Sequence, residues 1–410
     1  MTDPAAPCYV VLGAGQAGGH AALALRAAGF AGRVVLVGDE SYPPYERPPL
    51  SKKLLIGEVG PESTFLRPAA HYGEKDIELQ LGRRATAIDR RDRRVDFAAG
   101  EPLRYDRLML TTGGRPRRLA LPGAELPGLF YLRTIADVLA MQPAMAPGAR
   151  VAIVGGGFIG LEVAAAASRR GCRVTVLEVE EWLLKRVAPR LLSEAFERLH
   201  RRHGVDIRLA TAVAGFAGDD RLRQVVTSDG GGLDADLAVI GIGIVPNVEL
   251  AAAAGLEVAN GIVVDSFGRT SDPDIYAAGD VAAGFNPLLG RRLRLESWQN
   301  AQNQAIAAAR NMAGVETPHA EVPWFWSDQY DLNFQMIGLC HEHDEVVLRG
   351  DPADPQFSVF FLVDGRLAGA ACFSNARDIP VARQLIARKI AVAPAALADL
   401  GTPLKQLLRG

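Results

Sequence analysis

Residues 9–20 read YVVLGAGQAGGH, and residues 151–162 read VAIVGGGFIGLE. In both stretches a short apolar strand enters a glycine-rich turn that opens a helix, which we expect to run from Gly19 to Ala28 in the first copy and from Leu161 to Arg170 in the second. A second apolar strand closes each pattern, at residues 34–37 and again at residues 173–177. Two copies of this strand–turn–helix–strand opening predict an α/β fold with two Rossmann-type dinucleotide-binding units in one chain.

Each glycine of such a turn has a separate task. The first permits the tight turn, the second lets the backbone approach a pyrophosphate, and the third lets the helix pack closely on the strand. The amides of the helix N-terminus then point at the phosphates. The positions that carry these tasks are Gly13, Gly15, Ala17 and Gly18 in the first copy and Gly155, Gly157 and Gly160 in the second.

An acidic residue at the end of the second strand accepts hydrogen bonds from the adenosine ribose in such units. Asp39, with its neighbour Glu40 as the alternate, holds that position in the first copy, and Glu178 holds it in the second. The second copy continues with Val179-Glu180-Glu181. A 2′-phosphate at about 4 Å from one carboxylate would be disfavoured by roughly 4 kcal/mol at an effective dielectric constant near 20. We therefore expect NADH rather than NADPH, unless Lys185 or Arg186 offsets this charge.

Composition narrows the class of protein. The chain has 410 residues, 49% of them hydrophobic and 22% charged, with a net charge of −2. This charge gives no argument for binding nucleic acid or an anionic membrane. No apolar run approaches the roughly 20 residues that span a bilayer, and Met1 to Pro7 lacks the features of a signal peptide. We expect a cytoplasmic protein.

The four cysteines, at positions 8, 172, 340 and 372, form no CxxC pair. We expect neither a disulfide nor a metal site. Cys8 and Cys172 lie in apolar, strand-like surroundings, which favours buried and unreactive thiols. Residues 41–52 contain no cysteine either, so a thiol relay in the segment after the first βαβ opening is excluded.

Two further stretches resemble signatures of flavoproteins that bind two dinucleotides. Residues 270–280, TSDPDIYAAGD, are similar to the second flavin signature, in which Asp280 would lie beside the ribitol of FAD. Residues 108–114, LMLTTGG, resemble the crossover by which the chain leaves the FAD domain. This resemblance implies an FAD domain made of residues 1–113 and 243–319, an NAD domain at 114–242, and a C-terminal α/β domain at 320–410.

Four runs together resemble the FAD-dependent ferredoxin reductases of bacterial oxygenase systems. They are YERPPLSK at 45–52, GGRPR at 113–117, GGGFIGLE at 155–162 and WFWSDQY at 324–330. The resemblance covers essentially the whole chain and implies a fold like that of glutathione reductase. It also implies hydride transfer from NADH to FAD and single-electron transfer to a [2Fe–2S] ferredoxin. In this family the ferredoxin feeds a cytochrome P450 or a Rieske-type oxygenase.

The resemblance also implies residue roles. Lys52 would approach the flavin atom that receives the hydride, Pro49 would line the same face, and Glu162 would face the nicotinamide. A helix that begins after Ser297 and runs to Asn311 would point its N-terminus at the flavin. The other residues that the resemblance places near FAD are Arg47, Arg115, Arg133 and Trp298.

Two alternatives to a ferredoxin acceptor stay open. One is a rubredoxin or nitrite-type reductase, and the other is an NADH-binding flavoprotein sensor resembling apoptosis-inducing factor. Basic residues predict a docking surface for an acidic ferredoxin, although dispersed surface arginine is the plain alternative. Ile306 stands where one member of the family carries an arginine, so docking should differ in detail. The basic residues are Arg291, Arg292, Arg294, Arg310, Arg383, Arg388, Lys389, Lys405 and Arg409.

Overall fold

The computed structural model describes residues 6–409. Its backbone forms two compact units. The first comprises Met1–Arg47, Pro61–Arg115 and Val245–Pro323, and the second comprises Pro48–Gly60, Pro116–Ile244 and Trp324–Gly410. Both units are therefore assembled from separate stretches of chain. The four domain boundaries expected from the sequence stay a prediction.

The strands of the described residues are mostly short. They are β1 (Cys8–Leu12), β2 (Arg33–Val37), β3 (Ile77–Gln80), β4 (Ala85–Asp89), β5 (Arg94–Phe97), β6 (Leu103–Arg104), β7 (Arg107–Leu110), β8 (Gly114–Pro116), β9 (Leu129–Tyr131), β10 (Arg150–Val154), β11 (Arg173–Leu177), β12 (Asp206–Arg208), β13 (Val213–Ala217), β14 (Gln224–Thr227), β15 (Gly232–Asp234), β16 (Leu237–Ile240), β17 (Ile244–Pro246), β18 (Val258–Ala259), β19 (Gly261–Val264), β20 (Ile275–Ala277), β21 (Ala282–Asn286), β22 (Arg291–Leu293), β23 (Trp324–Gln329), β24 (Leu332–Gly338), β25 (Glu345–Arg349), β26 (Phe357–Val363) and β27 (Arg366–Phe373).

The α-helices include three long ones that follow glycine turns or a serine cap. They are α1 (Gln16–Ala27), α2 (Lys53–Ile56), α3 (Ala69–Glu74), α4 (Ile135–Met141), α5 (Phe158–Arg169), α6 (Arg190–Arg202), α7 (Glu249–Ala253), α8 (Trp298–Met312), α9 (Ile379–Arg388) and α10 (Pro394–Ala398). Short 3₁₀ turns occupy Pro48–Ser51, Pro61–Thr64, Gln142–Ala144, Ala376–Asp378 and Leu404–Arg409.

The first unit is built on a parallel five-stranded sheet with the order β20-β7-β1-β2-β3. Successive side chains of a strand point to opposite faces, so Val10 and Leu12 pack into one core and Val11 into the other. Helices α1 and α8 contribute to the core that contains Val11. Both faces of β1 are thus covered, which explains its unbroken apolar sequence.

The second unit contains another parallel five-stranded sheet, with the order β12-β11-β10-β16-β9. A small antiparallel sheet, β13-β14-β15, shares a core with it. The C-terminal part of this unit is an antiparallel sheet with the order β23-β24-β27-β26-β25. Two parallel Rossmann-type sheets and a C-terminal α/β portion confirm the predicted fold class.

Both helices that follow a glycine turn begin earlier than the sequence pattern predicts. Helix α1 begins at Gln16 rather than Gly19, and α5 begins at Phe158 rather than Leu161. The reason is that the third glycine already lies inside the first helical turn, where it packs against the backbone carbonyl of the first glycine of the same motif. A Cβ on Gly18 would lie 1.8 Å from the Gly13 oxygen.

No helix within residues 6–409 is long and apolar enough to cross a membrane. The same residues contain no group of three or more His, Cys, Asp or Glu side chains that could hold a metal ion.

Candidate active site

The first glycine turn, in the first unit, leaves open space at the helix start. Gly13 has φ +117°, and a Cβ there would lie 2.3 Å from the Thr111 oxygen, so only glycine fits. A Cβ on Gly15 would instead meet nothing nearer than the Arg47 guanidinium, at 3.9 Å. Helix α1 has no side-chain cap at Gly15. Its first amides therefore form a cradle that suits a pyrophosphate.

Charged side chains gather beside this cradle. The Tyr45 hydroxyl and the Arg47 guanidinium donate hydrogen bonds to Glu40, at 2.6 and 3.2 Å. Burial disfavours the charge on Arg47, but Tyr45, Glu40 and Asp280 outweigh it and raise the pKa of the guanidinium. Asp39 is exposed, one residue before this cluster. The structure thus brings the carboxylates of Glu40 and Asp280 close to the Arg47 guanidinium.

The second flavin-like stretch reaches the same helix. Gly279 has φ +82°, and a Cβ there would lie 3.0 Å from the Ala17 side chain of α1. The Gly279 amide donates to Gln304 of α8, at 2.9 Å. Ser297 caps α8 through the Asn300 amide, at 3.2 Å, which confirms the predicted cap, and the partly buried Trp298 is the first residue of the helix.

Two other predicted residues lie apart from this cluster. Arg115 is about half exposed and donates to Asn247 at 2.8 Å and to Glu249 at 2.7 Å. Arg133 lies in the second unit, where its backbone amide donates to Asp137 before helix α4. The roles expected for both arginines stay predictions.

The glycine turn of the second unit repeats the geometry of the first. Gly155 has φ +107°, and a Cβ there would lie 2.6 Å from the Gly241 oxygen. A Cβ on Gly160 would lie 2.2 Å from the Gly155 oxygen, whereas Gly157 faces open space with its nearest contact at 3.9 Å. Helix α5 also starts without a side-chain cap. The second unit therefore offers a second pyrophosphate cradle.

Glu178 lies directly after β11 and touches this turn. Its Oε2 atom accepts from the Gly156 amide at 2.6 Å, and its Oε1 atom accepts from the Glu180 amide at 2.9 Å. The residue is only 9% exposed. Lys185 pairs with Glu180 at 2.8 Å and with Glu181 at 3.7 Å. The Lys185 ammonium, which was considered as an offset to the charge of Glu178, thus pairs with Glu180 and Glu181.

The two turns differ at the position of Glu178. The amides of Gly13 and Gly155 donate to the last residues of β2 and β11, Val37 and Leu177, so the residues that follow these strands correspond. In the first unit that residue is Gly38, where a Cβ would lie 2.6 Å from the Ala14 side chain. A fixed carboxylate at this point is therefore a feature of the second turn alone.

An ion pair lies deeper in the second unit. The Lys52 ammonium is 2.7 Å from Oε2 of Glu162, whose side chain is 3% exposed, and it also donates to the Pro48 carbonyl at 3.3 Å. Ser51 donates a hydrogen bond to the same carboxylate oxygen. Pro49 lies beside them in the 3₁₀ turn Pro48–Ser51 and is partly buried. Lys52 and Glu162, 110 positions apart, are brought into direct contact.

The segment that carries Lys52 is anchored by one arginine. Arg170, just after α5, donates to the carbonyls of Leu55 and Ile56, each at 3.1 Å, and to those of Met145 and Gln142. Helix α5 also carries Glu162, so the same helix fixes both partners of the ion pair.

Comparison with known proteins agrees with this geometry. The model of the pyridine nucleotide-disulphide oxidoreductase family matches residues 7–305, and that of the reductase C-terminal domain matches residues 324–408. The chain belongs to the pyridine nucleotide-disulphide oxidoreductase family. It is an oxidoreductase, and its cofactors are FAD and NAD(H), as the sequence predicts.

Individual relatives cover the whole chain. The ferredoxin--NAD(+) reductase component of the anthranilate 1,2-dioxygenase system of Burkholderia cepacia is 46% identical, over 98% of this chain and 99% of that protein. Rhodocoxin reductase of Rhodococcus erythropolis is 43% identical, over 97% and 93%. The reductase in the covalent putidaredoxin reductase–putidaredoxin complex matches with a TM-score of 0.95 and 40% identity, over 98% of both chains. These relatives confirm the predicted resemblance to oxygenase-system reductases.

The cysteines of this family member form no disulfide. All four lie in the described residues and are free. The prediction that Cys8 and Cys172 are buried is wrong, because Cys8 is the first residue of a strand and Cys172 lies in the turn after α5, where both are partly exposed. Partial burial still raises the pKa of each thiol. Cys340 and Cys372 are fully buried, and burial raises the pKa of Cys372 to about 12.

Two serines belong to the site although the sequence did not single them out. Ser51 and Ser327 both donate to Glu162, the second at 2.6 Å. Each stands inside a run that resembles the family, but nothing in a serine's spacing points to a glutamate more than 100 positions away. Burial of Glu162 at 3% exposure was the missing fact, because a buried carboxylate must collect donors.

Proposed function

We propose that the protein oxidises NADH and passes the electrons singly to a [2Fe–2S] ferredoxin that serves a cytochrome P450 or a Rieske-type oxygenase. When bound, FAD accepts a hydride and releases its two electrons one at a time. The observation that carries the proposal is the ion pair between Lys52 and Glu162, in which Lys52 belongs to the segment 41–52 that contains no cysteine. Full-length relatives whose names specify ferredoxin--NAD(+) reductases support the acceptor.

The chain's own residues account for cofactor binding. The open N-termini of α1 and α5, at Gly15 and Gly157, take the pyrophosphates of FAD and NADH. In the first unit, Arg47 supplies positive charge beside the cradle, and Asp280 supplies a hydrogen-bond acceptor for a hydroxyl-bearing chain. The exposed Asp39 is assigned to the adenosine ribose of FAD.

Glu178 accounts for the choice of nucleotide. Its two backbone donors hold the carboxylate in place before the nucleotide arrives, so a ribose with free hydroxyls is accepted and a 2′-phosphate is repelled. Fixed groups lose little entropy when a ligand binds. NADH is therefore the proposed electron donor.

Lys52 and Glu162 account for the environment of the chemistry. An ammonium that is held in place in a partly buried position stabilises negative charge that develops near it. Glu162 orients that ammonium at 2.7 Å, and Pro49 restricts the backbone of the turn beside it. This assigns Lys52 to the flavin and Glu162 to the nicotinamide.

Exposed positive charge accounts for the docking of the ferredoxin. In the first unit, Arg310 is exposed beside a shallow groove that α1 and α8 form, where Ile306 and Val315 supply apolar surface. Among the described residues, Arg310 donates only to a neutral group, the Thr317 hydroxyl at 3.1 Å, whereas Arg294 pairs with Glu296 at 2.7 Å and Arg292 donates to two backbone carbonyls of its own unit. We therefore assign the attraction of an acidic ferredoxin chiefly to Arg310 rather than to the run 291–294. A cytoplasmic location stays a prediction.

An acceptor comparison tests the proposal. The FAD-loaded protein is supplied with NADH and, in separate assays, a bacterial [2Fe–2S] ferredoxin or a rubredoxin. We expect reduction of the ferredoxin to be faster by at least about tenfold in kcat/KM. Faster reduction of rubredoxin would favour the rubredoxin reductase alternative, and negligible turnover with either would favour a sensor.

A further inference from the structure

The carboxylate of Glu162 has a donor on each of its two oxygens. Lys52 and Ser51 donate to Oε2, and Ser327 of β23 donates to Oε1 at 2.6 Å. Ser327 is 0% exposed, so bulk solvent does not reach its hydroxyl. Oε2 of Glu162 thus contacts the Lys52 ammonium, and Oε1 accepts a hydrogen bond from the C-terminal sheet.

The contact at Ser327 continues into a chain of buried polar side chains. The Gln329 amide nitrogen donates to the Ser327 oxygen at 3.0 Å, and the Gln329 amide oxygen is 2.7 Å from Nε2 of His200. The Tyr330 hydroxyl is 3.2 Å from Nδ1 of His200. Gln329 is 1% exposed and His200 is 0% exposed. Four hydrogen bonds therefore connect Tyr330 to Glu162 inside the second unit.

The direction of every bond in this chain follows from Glu162. A carboxylate paired with an ammonium only accepts, so the single hydroxyl proton of Ser327 is used on Glu162. Gln329 must then donate its N–H to Ser327 and present its oxygen to His200. His200 in turn carries its proton on Nε2, which leaves Nδ1 to accept from the Tyr330 hydroxyl.

We propose that Ser327, Gln329 and His200 are positioning residues that act through Glu162, keeping its carboxylate in one orientation toward Lys52 by a one-way chain of hydrogen bonds. This inference rests on the proposed role of the Lys52–Glu162 pair in NADH oxidation.

The protonation of the two outer residues fits the chain. Burial lowers the pKa of His200 to about 4, so the ring is neutral near pH 7 and holds a single N–H. Burial also raises the pKa of Tyr330 to about 12, so its hydroxyl keeps the proton that it donates. The Tyr330 ring stacks on His203 with centroids 3.6 Å apart, which fixes the end of the chain.

Local structure explains why these residues stand where they do. Ser327 and Gln329 are two positions apart in β23, so they share one buried face, and Asp328 between them is exposed. Tyr330 has φ +55° in the turn after the strand. Non-glycine residues rarely adopt this conformation; here it accompanies the contact of the ring with His200.

The chain orients Glu162 but does not conduct protons. A proton can pass through Gln329 only if its amide changes to the imidic acid form, which neutral amides resist. Removing one member should therefore disturb the geometry of Glu162 and not the supply of protons. The expected effect is on the rate of NADH oxidation rather than on its solvent isotope effect.

The direct test is the tautomer of His200, read by NMR in the FAD-loaded protein labelled with ¹⁵N-histidine, with no NADH present. The chain has 7 histidines, so a His200→Gln variant identifies the signal. We expect a neutral ring with the proton on Nε2 near pH 7, and loss of this single state in Ser327→Ala. A proton on Nδ1, or a signal that Ser327→Ala leaves unchanged, would overturn the inference even if the enzymatic proposal holds.

Stopped-flow kinetics supplies the second measurement, with a matched control. Ser358 is also 0% exposed in the C-terminal sheet and donates to a carboxylate, that of Asp378, at 2.8 Å. We expect Ser327→Ala to slow FAD reduction by NADH at saturation about tenfold, the cost of one hydrogen bond to a charged group, and Ser358→Ala to leave it unchanged. Gln329→Glu, which turns the donor into an acceptor, should act like Ser327→Ala. Equal rates in Ser327→Ala and the wild type would overturn the positioning role.

Discussion

Glu178 is fixed by two backbone amides, and this determines how its replacement should behave. Because Gly156 and Glu180 hold the carboxylate, a nucleotide meets a charge that cannot turn away. The corresponding residue of the first turn is Gly38, so the proposed discrimination between nucleotides rests on the second unit. Lys185 is paired with Glu180 and Glu181 and does not offset the charge.

At this residue we expect an NADH preference over NADPH of at least about a hundredfold in kcat/KM, from one like-charge contact. Glu178→Ser should erode it mainly through KM for NADPH. Glu181→Ser, a change at a carboxylate that is 75% exposed, is the matched control and should leave the preference nearly intact. Steady-state rates with both nucleotides and ferricyanide measure this, and equal rates in the wild type would contradict the role of Glu178.

Lys52 is the second residue that carries a prediction. Lys52→Met should slow NADH-dependent reduction of FAD while FAD stays bound. It should also lower the free energy of unfolding by about 3–5 kcal/mol, because Glu162 is left buried without its cation. The neighbouring Lys53→Met is the control, since Lys53 is exposed. Loss of FAD with a normal reduction rate after reconstitution would make Lys52 a binding contact instead.

The residues of this pair could be named from sequence, but their contact could not. Lys52 and Glu162 each stand in a run that resembles the family, and both are parts of one buried ion pair. Ser51 and Ser327 complete that site by donating hydrogen bonds to the buried Glu162 carboxylate. The spacing of residues in the sequence does not reveal that this carboxylate is buried. Arg115, which the resemblance places near FAD, bonds to Asn247 and Glu249, contacts that the sequence did not reveal, and its role stays a prediction.

At the scale of elements, the glycine turns were readable because their chemistry is local. The helix starts were misjudged by three residues in α1 and α5, since the third glycine already lies in the first helical turn. Helix α6 shows the limit of a local pattern. Its amphipathic sequence predicts a buried face, but nothing in it reveals that His200 on that face meets Gln329 of β23.

Helix α6 also carries a pH prediction. The folded-state pKa of His200, about 4, lies below its ordinary value of 6.5. Its contribution to stability is therefore complete above about pH 6.5 and is lost as the pH falls toward 4, by up to about 3 kcal/mol. Melting temperatures between pH 7 and 4 should fall less steeply in His200→Gln than in the wild type. The exposed His341→Gln should match the wild type, and an identical slope in His200→Gln would contradict the account.

At the scale of the whole molecule, the repeated βαβ opening predicted the fold because each copy is a complete local motif. The assignment of residues 48–60 to the second unit was not predictable. Arg170 anchors that segment through backbone carbonyls, and a carbonyl carries no sequence signature. The C-terminal sheet was expected only from the resemblance, since its strands alone do not say what they cover.

The choice of ferredoxin partner is also a property of the whole molecule. If Arg310 steers an acidic ferredoxin, reduction of ferredoxin should slow as ionic strength rises from about 0.05 to 0.3 M, because exposed charges are screened beyond about one Debye length. Arg310→Glu should weaken ferredoxin reduction and leave reduction of a neutral quinone nearly unchanged. Arg190→Glu makes the same charge change at an exposed arginine outside the named basic residues. A rate that ignores both salt and Arg310→Glu would point to an apolar docking face.

The most direct test of the central claim is the stoichiometry of electron transfer. The FAD-loaded protein, an excess of oxidised [2Fe–2S] ferredoxin and a measured amount of NADH are mixed without oxygen, and both absorbances are followed to completion. A hydride carries two electrons and each ferredoxin accepts one, so the account predicts two ferredoxins reduced for each NADH consumed. NADH consumption without reduced ferredoxin, or a yield well below two, would contradict it.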